Sequence, residues 1–221
     1  MRYRMFPFVA VLLAFGGGPA AAAEPVTGWG GLLLGMSVEE AKAARPEFDW
    51  DNKSFVKCLS QAKKCSLLAD ETETKVGKLS FSPSFRFDSD GRLEVILLSA
   101  SLGPQYRPDG QLDNQPPVSR KECHALFRYL MEPLEQKYGP MKTALGGRYE
   151  PPSGAGENDY ESVATDVEAM QRSDDHQVPF AAHAELSLIY AHSAGTCDLG
   201  IFYLQGFAPS GDAINKMKDQ L

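Results

Sequence analysis

The chain has 221 residues, 43% hydrophobic and 23% charged, a globular composition that excludes collagenous, disordered and polytopic membrane architectures. Its 22 basic against 29 acidic residues give a formal charge of −7, which excludes a sequence-independent hold on nucleic-acid phosphates. The length accommodates one domain or two small ones.

Arg2 and Arg4 precede an apolar run from Phe6 to Phe15, which Gly16, Gly17, Gly18 and Pro19 break before the small residues Ala21, Ala22 and Ala23. This order of charged, apolar and small residues predicts a secretory signal over residues 1–23, cleaved after Ala23. The apolar run, interrupted by Pro7, is far shorter than the roughly 20 residues that span a bilayer. No cysteine follows the cleavage point to carry a lipid, so the exported part, periplasmic or secreted, is expected to lack a membrane anchor.

The expected fold class is α+β: two tandem units, each one helix followed by about three antiparallel strands, with the helices packed on one face of the sheet. The first unit covers 24–103. Ser37 and Glu40 have the spacing of a capping box, and Pro46 stops the helix that it opens. Leu79, Phe81, Phe85 and Phe87 alternate with polar neighbours, Asp88–Gly91 turns the chain, and Leu93–Leu98 returns as the second arm of a hairpin. Residues 104–117, with Pro104, Pro108, Pro116 and Pro117, form a linker.

The second unit covers 118–207. Ser119 and Glu122 repeat the capping box; Cys123, Leu126, Phe127, Leu130 and Leu134 make one apolar stripe; and Gly139-Pro140 ends the helix after Tyr138. Pro133 is expected to kink it opposite the Tyr129 carbonyl. Strands follow over Ala184–His192 and Thr196–Gln205. Between helix and strands lies an acidic insert, 150–179, with eight carboxylates from Glu150 to Val178 against Arg172 alone. It reads as a solvated loop or as a contact surface, in which Tyr149, Tyr160 and Met170 supply apolar contact for a basic partner. Residues 208–221 form a polar tail.

All four cysteines lie in the exported part, where an oxidising compartment favours disulfides. Cys58 and Cys65 enclose a short polar segment and are natural partners, leaving Cys123 with Cys197. Zinc is disfavoured because no C-x-x-C spacing occurs. No nucleophile-elbow, zinc-protease, phosphate-loop or dinucleotide motif is present, and neither a cofactor nor a resident metal is expected. His183 and Glu185 share one strand face and, with His176, are the one set from which an acid/base or metal site could be built.

The run Trp29-Gly30-Gly31-Leu32-Leu33-Leu34-Gly35-Met36-Ser37-Val38-Glu39-Glu40-Ala41 resembles the helix entry of exported bacterial helix-plus-sheet modules. Two such groups are the secreted beta-lactamase inhibitory proteins and the small lipoproteins of the outer-membrane barrel assembly machinery. The resemblance implies tandem units presenting a sheet for binding, and it carries no functional residues over. The expected function is a non-enzymatic binding or inhibitory protein of the bacterial envelope acting on an envelope or secreted protein. The alternative is an envelope hydrolase or metal-dependent enzyme built on His183, Glu185 and His176.

Overall fold

Alternating apolar residues make half-buried strands, and the two clearest sets meet in one sheet. The computed structural model describes residues 23–61, 63–69, 72–105, 111, 113–149, 157–165 and 182–205. Of the segment 1–23 expected to be a signal, all but Ala23 lies outside these residues, as do Met170, His176 and the tail. A short hairpin, β1 (Gly28–Trp29) and β2 (Leu32–Leu33), precedes the helix α1 (Val38–Ala44). The strands β3 (Cys65–Leu68), β4 (Thr74–Val76), β5 (Leu79–Phe87), β6 (Leu93–Leu102), β7 (Lys142–Tyr149), β8 (Asn158–Ala164), β9 (His183–Ala191) and β10 (Thr196–Leu204) build the main sheet. Its order is β3-β5-β6-β10-β9-β8-β7, with β4 on β5, and every ladder is antiparallel. The fold is α+β.

Both capping boxes form. The Glu40 carboxylate accepts from the Ser37 amide at 2.7 Å while the Ser37 hydroxyl accepts from the Glu40 amide at 3.2 Å. The Glu122 carboxylate accepts from the Ser119 amide at 2.9 Å, and the Ser119 hydroxyl accepts from the Glu122 amide at 3.2 Å. The latter pair opens α3 (Arg120–Tyr138), which continues as one helix through Pro133 and ends at Gly139. Cys123, Phe127, Leu130, Leu134 and Tyr138 are its buried residues, close to the stripe read from the sequence, with Leu126 only partly buried. The segment containing Gly35 and Met36 docks on β6: the Gly35 amide donates to the Leu93 carbonyl and the Leu93 amide to the Met36 carbonyl, each at 2.8 Å.

A second helix, α2 (Lys53–Leu59), was not foreseen; Asn52 caps it by accepting from the Ser54 and Phe55 amides. Its purpose is packing. Phe55 and Phe87 lie 5.6 Å apart between ring centroids, and Trp50 stacks on Phe85 at 5.7 Å and 18°. Such aromatic burial anchors this end of the molecule on the face of β5.

The disulfides are Cys58–Cys65 and Cys123–Cys197, as expected. The second ties α3 to β10, and Tyr190 on β9 adds a hydrogen bond from its hydroxyl to the Val118 carbonyl at 3.1 Å. The chain reaches α3 across a tight contact: Pro117 lies so close to Gly195, whose φ is +65°, that a Cβ there would meet it at 2.7 Å. Only glycine fits that turn.

The division into two units is less clean than expected. An eight-residue ladder between β6 and β10 fuses the two strand sets into a continuous sheet. The second set has four strands rather than three, because residues 158–164, inside the segment read as an acidic insert, form β8 between β7 and β9.

Candidate binding face and the Asp159 cluster

Strand alternation sorts the sheet into two faces. Cys197, Leu199, Ile201 and Tyr203 of β10 and Leu186, Leu188 and Tyr190 of β9 are buried on the face that carries α3. Their neighbours in sequence face the opposite way, and no described helix packs there. On that second face the registers bring Ser82, Ser99, Gly200, Ser187 and Ser162 into one line across five strands. One flanking line runs Ser84, Leu97, Phe202, Glu185, Ala164; the other runs Ser101, Asp198, Ile189, Tyr160.

A row of short hydroxyl side chains therefore lies between two rows carrying larger ones, Leu97 and Phe202 on one side and Ile189 and Tyr160 on the other. Gly200 sits at its centre, where a Cβ would meet the Phe202 ring at 2.8 Å and the Ser187 hydroxyl at 2.9 Å. The phenyl ring thus leans across the glycine. Ser99 and Ser101 are exposed and Leu97, Phe202, Ser187, Ile189 and Tyr160 are half-buried. The accessible part of the trough lies over β6, β10 and β9.

His183 and Glu185 do share this face, as the sequence spacing required. His183 is fully buried and Ala164 likewise, so this end of the face is closed to solvent. Burial pushes the Glu185 carboxyl above the usual range, with the Ser162 hydroxyl acting in the opposite direction. Among the described residues no group of three or more His, Cys, Asp or Glu side chains could hold a metal ion. Tyr160 faces the trough, Tyr149 ends β7 beside Asn158, and Met170 lies outside the described residues.

The opposite face holds the feature that the sequence concealed. Asp159 on β8 has a side chain only 6% exposed, and Arg120, Arg148, His124 and His192 surround it. Arg120 donates to its Oδ2, His192 Nε2 lies 3.2 Å from the same oxygen, and Arg148 Nε lies 3.3 Å from Oδ1. His124 Nδ1 stands 3.3 Å from Glu161 Oε2, and Arg148 also reaches Glu157 at 3.3 Å. Burial alone would raise the Asp159 pKa. Hydrogen bonds and charge from Arg120 and His192 outweigh it and hold this carboxyl below the ordinary aspartate range. Reciprocally, the hydrogen bond to Asp159 raises the Arg120 guanidinium. The cluster ties the first turn of α3 to the two strands nearest the β7 edge.

No match was found in comparisons with protein-family models, curated proteins or solved structures.

Proposed function

We propose that the protein is an exported, non-enzymatic binding protein of the bacterial envelope, periplasmic or secreted, which engages a protein partner through the trough on the helix-free sheet face. The observation carrying this reading is the aligned row Ser82–Ser99–Gly200–Ser187–Ser162 between lines bearing Leu97, Phe202, Ile189 and Tyr160. Small hydroxyl residues beside large, stiff apolar ones give adaptable hydrogen bonding next to contact area of low entropic cost, the composition that antibody binding loops also use. Two disulfides are compatible with an oxidising compartment.

Asp198 is the carboxylate beside the accessible part of the trough, and on a chain of net charge −7 it favours a basic partner segment. The test is crosslinking capture from envelope extract with the intact chain and with Ser99→Arg and Ser101→Arg, both at exposed positions. Wild-type chain should recover a partner whose yield falls with salt, and the trough variants should lose it. Equal recovery by all forms, while a charge reversal at Arg128 on α3 removes capture, would move the binding surface to the helix side.

A further inference from the structure

The helix side contains a second concavity, separate from the trough and independent of the reading above. A cleft of about 500 Å³ opens where the β1–β2 hairpin, the end of β4 with Gly77, and the C-terminal half of α3 meet over β10. Its size lies within the range of small-molecule sites, and it stands at the junction of the two strand sets. Apolar side chains make the larger part of the walls: Trp29 and Val76, Leu130 and Leu134, Ile201 and Tyr203; the hairpin around Gly28, Gly30 and Gly31 and two lysines add a polar part. Tyr138 meets Tyr203 edge-on with ring centroids 6.1 Å apart, so two phenols stand together in an otherwise apolar place.

Charge in the cleft is one-sided. Among the described residues lining it, Lys75 and Lys137 are charged and no carboxylate is present, although the whole chain is acidic. Lys137 lies 5.0 Å from the centre of the Tyr138 ring, and its nearest carboxylate, Glu24, is 3.9 Å away and exposed. Just outside, Lys78 lies over the Tyr129 ring at 5.3 Å. Burial pushes the Tyr203 phenol well above its usual range, and nearby Tyr138 adds to the shift, so the hydroxyl stays neutral at physiological pH.

From a largely apolar cleft that carries two ammonium groups, with one exposed carboxylate, Glu24, near Lys137 and none among the described lining residues, we propose that this cleft binds an amphipathic monoanion, a carboxylate on an apolar body. The apolar body would lie against Trp29, Leu134 and Ile201, and the carboxylate would face Lys75 and Lys137. Lysine serves here as a hydrated point charge at the mouth, which suits a carboxylate that keeps part of its water.

Trp29 lines the cleft and the other tryptophan, Trp50, is buried against Phe85, so indole fluorescence reports the site directly. The purified chain is titrated with decanoate below its micelle concentration, and in parallel with decylamine and decanol. Decanoate should shift the Trp29 emission saturably at one per chain, with the other two far weaker. Lys75→Glu and Lys137→Glu should each weaken decanoate by about fivefold, the scale of an exposed charge contact, whereas Lys121→Glu at the far end of α3 should change nothing. Trp29→Phe should abolish the signal while calorimetry still detects binding. The proposal is overturned if decanoate fails to saturate, if decylamine titrates as decanoate does, or if neither lysine reversal changes the affinity.

Discussion

Arg120 donates to the carboxylate of Asp159 across thirty-nine residues of sequence, joining the first turn of α3 to a strand near the edge of the sheet. Asp159 is the buried member and its two arginine partners are more than half exposed, so the aspartate organises them. Replacing it with Asn removes the counter-charge for Arg120, Arg148 and His192 but leaves the two arginines open to water. Asp159→Asn should therefore lower stability by about 1–2 kcal/mol, less than for a fully buried pair. Because the folded-state pKa of Asp159 is depressed, its contribution is complete above the unfolded aspartate pKa of 3.8 and is lost as pH falls through the folded value. Denaturant melts at pH 7 and below pH 3 should show the variant and parent converging in acid.

Glu185 supplies the opposite sign. Its carboxyl is raised by burial, so the folded state holds the proton more tightly than the unfolded chain does. Stability from this group is highest below the unfolded glutamate pKa of 4.5 and falls as pH rises through the folded value. Glu185→Gln should raise the thermal midpoint at pH 7 and have little effect at pH 4. Calorimetry at the two pH values reads both arms.

The two disulfides should differ in worth. In the chain-entropy account a bridge stabilises in proportion to the logarithm of the loop it closes. Cys123–Cys197 spans 74 residues and Cys58–Cys65 spans 7, so about 4 kcal/mol is expected for the first and about 2–3 kcal/mol for the second. Urea titration of Cys123→Ala/Cys197→Ala should show the larger loss, and Cys58→Ala/Cys65→Ala the smaller.

Much of the framework was legible because it rests on local grammar. Ser37 with Glu40 and Ser119 with Glu122 announce helix starts through their own backbone hydrogen bonds, and the alternation at Leu79–Phe87 is unambiguous. Cysteine pairing followed from proximity in sequence and from the shared face of Cys123 and Cys197. The segment 158–164 was obscured because two of its three inward residues, Asp159 and Glu161, are charged and only Val163 is apolar; partners on a distant helix and strand accommodate the two carboxylates there. For the same reason His124 and His192 had no visible partners. The trough was also hidden, since the row from Ser82 to Ser162 exists only once five strands are in register, and no single stretch of sequence carries it.

The proposed export gives a covalent prediction. The Glu24 amide donates to the Lys137 carbonyl at 2.9 Å, at the negative end of α3. Cleavage after Ala23 would convert that amide into an ammonium group on the same carbonyl, a placement the helix dipole favours by about 0.3–1 kcal/mol. Intact mass of the exported form should begin at Glu24, and a precursor-length exported form would contradict it.

The most direct test of the binding account places a photocrosslinking amino acid in the living envelope at two positions, Ser99 in the trough and Arg128 on the exposed side of α3. Both are exposed, so either probe can react with whatever lies over it. The account predicts one discrete adduct from position 99, none from position 128, and loss of the position 99 adduct when Ser101→Arg is added. Adducts from position 128 with none from position 99 would contradict it.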